Sequence, residues 1–145
     1  LRAAMDAEMG ERYGPWRDDD PAQEAVRTAL AVDPAHLVTT LLAVDADRVA
    51  HGHIALRRLG TEWEAKRLVV LPSARRSGVA RALLARVVQD AREAGAPRVI
   101  LQTGRLQPEA AALYVREGWA PVPVYEPYAA VMPDSLCFEL RTDDA

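Results

Sequence analysis

The sequence contains a single cysteine, Cys137. One thiol cannot close an internal disulfide, and it excludes the zinc sites built from several cysteines. A reducing, cytoplasmic setting suits such a chain best. Lysine is almost as scarce: Lys66 is the only one, so nearly every basic residue is arginine. With the abundance of alanine, that bias is typical of GC-rich bacterial genomes. No apolar run reaches the ~20 residues that cross a bilayer, and no secretory leader is visible, so no membrane partner is expected. An excess of positive charge is also missing. Eighteen basic residues against 21 acidic ones give a net charge of −3, which argues against general nucleic-acid binding. The 145 residues read as one domain, 1–145, long enough to bury a core without disulfides or a structural metal. The chain opens at Leu1 rather than methionine, which leaves room for a segment upstream.

The patterning that is present is regular. Arg2 to Tyr13 reads as a helix stopped by Gly14-Pro15. A second helix is expected from Pro21 to about Val32, with Pro21 in its first turn and Asp33-Pro34 beyond its end. The period then changes to that of strands. Leu37 to Val44 and Val49 to Leu59 flank a turn at Asp45-Ala46-Asp47 and predict a hairpin. Glu62 to Leu71 follows as a third strand, closed by Pro72. Val79, Ala80, Leu83, Leu84, Val87, Val88 and Ala91 recur at helical spacing, with Gly95 and Pro97 as the stop. Val99-Ile100-Leu101 is a short continuous apolar strand of the kind buried on both faces. Pro108 and Glu109 open another helix that Gly118 closes, and Leu136 to Leu140 reads as a final strand. Strand, helix, strand in the middle predicts a βαβ crossover between parallel strands, joined to antiparallel hairpins. The class is α+β, or mixed α/β.

Charge is uneven along the chain. Asp18, Asp19 and Asp20 cluster near the start, while Arg57, Arg58, Lys66, Arg67, Arg75, Arg76, Arg81 and Arg86 occupy the centre. A local basic centre in an acidic protein suits a compact anion; the plain alternative for most of these residues is a solvated surface. The segment Pro72 to Ala80 sharpens the first reading. It carries the chain from strand to helix through small residues flanked by two arginines. The first amides of a helix have no internal partner and carry partial positive charge. Gly78 and Ala80 would let a phosphate or pyrophosphate approach them. The chain has no nucleotide phosphate loop ending in Gly-Lys-Ser/Thr and no three-glycine dinucleotide fingerprint.

Arg75-Arg76-Ser77-Gly78-Val79-Ala80 resembles the Arg/Gln-x-x-Gly-x-Gly/Ala signature of the GNAT acetyltransferases. Glu64 to Pro72 is similar to the strand that precedes that signature. Leu113-Tyr114-x-x-x-Gly118-Trp119 is similar to the family's Leu-Tyr-x-x-x-Gly-Phe motif, and Gly52 to Arg57 to its third strand. Thr103-Gly104-x-x-Gln107-Pro108-Glu109-Ala110 and Pro133-x-Ser135-x-Cys137-Phe138 resemble one bacterial subgroup of small acetyltransferases. The likeness runs from about Leu37 to Leu140. It implies a GNAT-like central mixed sheet whose βαβ crossover forms an acetyl-CoA site, with no metal. The resemblance places the pyrophosphate at Arg75, Arg76, Ser77, Gly78, Val79, Ala80 and Arg81. Pantetheine would pair with the strand backbone at Leu68, Val69 and Val70, where the oxyanion would also be met. Gln107 stands where many members carry asparagine as a cofactor contact. The family's first strand normally precedes its first helix, whereas this chain begins inside that helix.

Amide formation requires a neutral amine, and deprotonating an ordinary aliphatic one at pH 7 costs roughly 4–5 kcal/mol. Glu64, at the start of the central strand, is the first candidate base and resembles the family's strand carboxylate by position; Glu62 on the same face is the second. Either could instead be a strand residue paired with Arg57 or Arg67. The resemblance gives Tyr114 the role of acid toward the leaving thiolate; the alternative is a half-buried structural tyrosine. His51 and His53 are two apart on one strand face but have no third partner for zinc. His53 is a candidate for lining the acceptor cleft, and Trp63, Trp119, Tyr125 and Tyr128 for walling it. Cys137 reads as a packed apolar residue. The expected function is acetyl transfer to a small-molecule or peptide amine, by a monomer or homodimer. The rival reading is a non-catalytic acyl-CoA-binding sensor, which would have no need of both Glu64 and Tyr114.

Overall fold

Three segments with strand periodicity, Leu37–Val44 (β1), Ala50–Leu59 (β2) and Glu62–Val70 (β3), form an antiparallel meander in the computed structural model, which describes residues 1–143. Arg98–Thr103 (β4), Ala120–Val122 (β5) and Leu136–Arg141 (β6) complete a six-stranded sheet of order β1-β2-β3-β4-β6-β5. Among the described residues, only the β3–β4 pair is parallel. Arg2–Tyr13 (α1), Pro21–Leu30 (α2), Val79–Glu93 (α3), Pro108–Arg116 (α4) and the single turn Tyr128–Val131 (α5) flank it. The mixed α+β class and the βαβ crossover match the sequence expectation.

α3 is the crossover between β3 and β4. Its Leu83, Leu84, Val87, Val88 and Ala91 are buried, and they meet Ile54, Leu56, Ala65, Val99 and Leu101 of the sheet. Burying each leucine or valine contributes roughly 1.5–3 kcal/mol. Alternation along the strands puts Ala65, Val99 and Leu101 on this α3 side. Glu62, Glu64, Lys66, Ile100 and Gln102 therefore face the other side, toward α2 and the segment that carries α5.

The parallel pairing is brief. Glu64 opposite Ile100 is the one register pair between β3 and β4. Beyond it β3 stays paired with β2 as far as Val70, so one side of its backbone is left open. Pairing on the far side of β4 is complete, because all six of its residues oppose β6.

Several boundaries differ from the sequence reading. α2 ends at Leu30 rather than about Val32, because Ala31 is already extended and its carbonyl accepts a hydrogen bond from Arg57 Nη1 at 2.9 Å. β5 and α5 were not expected. β5 is three residues long, contains Pro121 and lies on the sheet edge, where proline is tolerated but periodicity is too short to read. One turn of helix is equally illegible.

Gly52 of β2 is where α3 comes closest to the sheet. A Cβ there would lie 2.7 Å from Val79 Cγ1 and 3.0 Å from Leu83 Cδ1. Gly52→Ala should therefore push the start of α3 outward and lower stability by about 1–3 kcal/mol in urea unfolding. An unchanged midpoint would mean that this contact does not set the seating of α3.

Candidate active site

The loop between β3 and α3 is built to present backbone amides. Pro72–Ala74 forms one 3-10 turn, and the Ser77 hydroxyl donates to the Ala74 carbonyl. Arg76 (φ 60°) and Gly78 (φ 85°) both adopt the left-handed conformation, which costs little only at glycine. The first hydrogen bond of α3 runs from the Ala82 amide to the Gly78 carbonyl at 3.0 Å. Among the described residues, the amides from Arg76 to Arg81 donate to no other backbone group, and no side chain caps the helix. A Cβ on Gly78 would meet nothing within 4 Å, so the space above the loop is open. Unpartnered amides, a helix N-terminus and open space fit a pyrophosphate.

The Arg75 side chain is committed elsewhere. Its Nε donates to the Val70 carbonyl at 3.0 Å, and its Nη2 meets Glu8 of α1 at 2.5 Å. Glu8 also holds Arg12 at 2.9 Å, and Arg12 reaches Glu109 and the Leu106 carbonyl. Hydrogen bonds to the two arginines keep the Glu8 carboxyl below its usual range against the opposing effect of burial. Tyr13 accepts from the Leu106 amide at 3.1 Å and lies over Gly104. α1 thus ties the Arg75 loop to the start of α4, where Gln107 is the residue before the first helical turn. Sequence reasoning did not find this strap, because nothing local links Glu8 to Arg75.

On β3, the ladder to β2 slips between the pairs Ala55–Lys66 and His53–Val69, so Arg67 and Leu68 together oppose Ile54. This is a β-bulge, and Arg67 sits in it at φ 57°. His53 Nδ1 donates to the Arg67 carbonyl at 2.8 Å and pins it. The bulge immediately precedes Leu68, Val69 and Val70, on the strand whose other edge has lost β4. His51 instead bonds Asp45 in the hairpin turn at 2.7 Å; that bond, with the Val49 and Asp47 amides, holds the Asp45 carboxyl below its usual range. The two histidines therefore serve different neighbours.

Glu64 is fully buried, not a surface strand residue. It is paired with Arg57, one of the partners weighed from sequence: Arg57 Nε donates to Oε1 at 2.8 Å, and the Tyr125 hydroxyl donates to Oε2 at 2.6 Å. The Tyr128 hydroxyl, in a side chain with no exposure, accepts from Lys66 Nζ at 2.7 Å and from Arg57 Nη2 at 3.3 Å. Burial, reinforced by the Glu64 charge, pushes both phenols well above the usual tyrosine range. Two members of the basic centre, Arg57 and Lys66, are thus interior groups and not part of the loop that suits an anion. Glu62 is held apart in an exchange with Arg98, at 2.7 Å, which also bonds Glu139.

Tyr114 lies on the α3 side of the sheet, nearly buried, with its ring centroid 6.1 Å from Trp119 and 5.6 Å from Phe138. Burial raises its phenol to about 12, so it remains protonated at any working pH. Among the described residues its hydroxyl has no hydrogen-bond partner. Trp63 and Trp119 pack with the α3 core and do not wall the Glu64 side; Tyr125 and Tyr128 do reach that side. Cys137 is a buried free thiol in β6, its pKa raised by burial.

Residues 1–119 match the model of the acetyltransferase (GNAT) family. The chain belongs to that family. An IAA acetyltransferase of Azospirillum brasilense is 39% identical over 88 residues, 61% of this chain and 56% of that protein, so the chain spans little more than half of this relative's length. Among solved structures, a candidate acyl-CoA N-acyltransferase of Klebsiella pneumoniae superimposes with a TM-score of 0.73 at 24% identity, over 97% of this chain and 86% of that one. A candidate streptothricin acetyltransferase of Bacillus anthracis, solved with acetyl coenzyme A, gives 0.62 at 20% identity, over 77% and 65%.

Lys66 gives the buried cluster a measurable signature. Burial pulls its ammonium from the usual 10.5 down to about 8, with Glu64 opposing and Arg57 and Arg67 adding to the fall. Between those values the unfolded chain holds the proton that the folded chain has released. The contribution of Lys66 to stability therefore rises with pH through that window, and the cost of the buried charge is fully present below it. Lys66→Met removes the titration. From pH 7 to 9.5 the stability of the native chain relative to this variant should rise by about 2 kcal/mol in urea unfolding. A difference that does not change with pH would contradict a charged, buried Lys66.

Proposed function

We propose that the protein transfers an acetyl group from acetyl-CoA directly to a primary amine. The observation that carries this reading is the row of unengaged amides from Arg76 to Arg81, set over an open left-handed Gly78 beside a strand edge that β4 has left. The family and the acetyl coenzyme A held by a structural neighbour support the same donor. The loop amides would hold the pyrophosphate, with Arg76 and Arg81 adding positive charge and Arg75 acting through its hold on the loop. The open backbone of Leu68 to Val70 would accept pantetheine as a further strand.

The chemistry is one substitution. The neutral amine nitrogen forms a bond to the acetyl carbon as the carbon–sulfur bond breaks. A bulge amide near Leu68 to Val70 meets the charge that develops on the carbonyl oxygen, and His53 keeps the bulge in place. Glu64 is the final acceptor of the amine's proton. Both of its oxygens are already hydrogen-bonded, so the proton reaches it through the Tyr125 hydroxyl, which passes its own proton to Glu64 as it receives another. Glu64→Gln is a poor test of this step. It would leave Arg57 buried without its counter-charge and destabilise the protein by roughly 3–5 kcal/mol. Tyr114, protonated and without a partner, gives its proton to the departing thiolate.

Tyr114→Phe keeps the ring contacts with Trp119 and Phe138 and removes only the donor. Turnover with a working amine, followed by thiol release, should fall about 10- to 100-fold. That is the low end for general acids, since a thiolate is a good leaving group. Acetyl-CoA affinity should change little. Lost affinity with unchanged turnover would make Tyr114 a binding residue, and no change in either would remove it from the reaction.

A further inference from the structure

The acetyl-transfer reading brings an amine to the side of the sheet opposite α3, where Tyr125 and Glu64 receive its proton. One amine is already there. Lys66 is the only lysine of the chain, and it is buried on that face, next after Glu64 along β3. Glu64 opposite Ile100 is the one register pair between β3 and β4. Lys66 is therefore the first residue of its face past the point where β4 leaves. It is also the last residue before the bulge at Arg67 and Leu68. From Lys66 to Leu68, where the strand backbone would meet the thioester, is about 6.6 Å along a strand. The flexible four-carbon stem of a lysine covers such a span.

The surroundings of Nζ suit an amine better than a structural cation. Nζ donates to the Tyr128 hydroxyl, a neutral group, at 2.7 Å. Two cations, Arg57 and Lys66, share the Glu64 carboxylate, whose oxygens Arg57 and Tyr125 already engage. An ammonium without a counter-charge of its own is costly to bury, and an apolar side chain would fill the place without that cost. Burial, helped by the Arg57 and Arg67 charges and opposed by that of Glu64, holds the Lys66 ammonium down at about 8. About one chain in ten then carries the neutral amine at pH 7, against fewer than about one in a thousand for an ordinary lysine.

We infer that Lys66 is a site of self-acetylation, taking the acetyl group from acetyl-CoA bound to the same chain when no other amine is present. Nζ forms a bond to the acetyl carbon as the carbon–sulfur bond breaks. The nitrogen gives one proton to the Tyr128 hydroxyl, whose own proton passes to Glu64. Burial, then the Glu64 charge, then a hydrogen bond to Glu64 raise that phenol against the pull of Arg57, so it relays the proton without staying ionised. Tyr114 protonates the thiolate, and exchange with solvent restores Glu64 and Tyr114. The product is an amide and does not pass the group on, so the event occurs once per chain. The inference rests on the acetyl-transfer reading above, and the experiment separates the two.

Purified protein is incubated with acetyl-CoA and no added amine, and its intact mass is followed with time. The expected result is one added acetyl group per chain, mapped to Lys66 by peptide mass spectrometry. The rate should not depend on protein concentration, because donor and acceptor belong to one chain. It should rise about tenfold from pH 7 to pH 9 and then level, whereas an ordinary lysine would still be climbing. Excess CoA, which fills the donor site without an acetyl group, should slow it about tenfold or more. Lys66→Arg should take no acetyl group and still bind acetyl-CoA in calorimetry; if it does not fold, the mapping on native protein decides alone. The same protein is then assayed for thiol release with 2-phenylethylamine and with spermidine. Transfer to either amine with Lys66 unmodified overturns the inference and leaves acetyl transfer standing. So does acetylation that lands on the amino terminus, or that proceeds as fast in urea-unfolded protein or under excess CoA, since that is plain chemical acetylation. Binding of acetyl-CoA with transfer neither to Lys66 nor to an added amine overturns the acetyl-transfer reading, and the inference with it.

Discussion

Past Glu64 and Ile100, one edge of β3 runs on without a neighbouring strand. Unpaired strand backbone is tolerated where water or a ligand can satisfy it, and buried without either it is costly. The rest of the site depends on that opening. α3 begins where the opening ends, so its unpaired amides and the open edge of β3 lie at the same end of the sheet. The bulge at Arg67 falls in the unpaired stretch, and His53 holds it from the intact β2 side. β4 can leave β3 because β6 supplies all of its remaining partners.

The two faces of the sheet divide the labour. On the α3 face, apolar packing is continuous and carries Tyr114 among aromatic neighbours. On the other face, Arg57, Glu64, Lys66, Tyr125 and Tyr128 form a buried polar cluster in which every hydrogen bond has a named partner. Such a cluster adds little net stability, since desolvation offsets most of the attraction. Its effect is to fix the Tyr125–Ser135 segment over the sheet, because Tyr125 and Tyr128 are its anchors. α1 does the same for the loops at the open end through Glu8, Arg12 and Tyr13.

Much of this was legible in the sequence, for reasons that differ by element. α3 was readable because a two-sided environment imposes strict helical spacing on Leu83, Leu84, Val87 and Val88. The amide-presenting loop was readable because Gly78 follows a strand and opens that helix. The setting of Glu64 was not. Its position in the strand suggested a carboxylate on one face, but its burial depends on Tyr125 and Tyr128, about sixty residues away and in a segment with no periodicity. The strap from Glu8 to Arg75 and the bulge at Arg67 are likewise products of tertiary contact. Aromatic residues alone gave no side: Trp63 and Trp119 belong to the core, while Tyr125 and Tyr128 belong to the cluster.

The measurement that bears most directly on the whole is acetyl-CoA binding by calorimetry to native protein and to Gly78→Glu. The substitution places a negative charge and a side chain where the loop amides converge, and its Cβ would meet nothing within 4 Å. The left-handed backbone adds about 1–2 kcal/mol of strain, which a domain of this size should survive. The expected result is a folded variant that no longer binds acetyl-CoA. Native-like affinity in that variant would put the donor elsewhere and contradict the assignment of the loop.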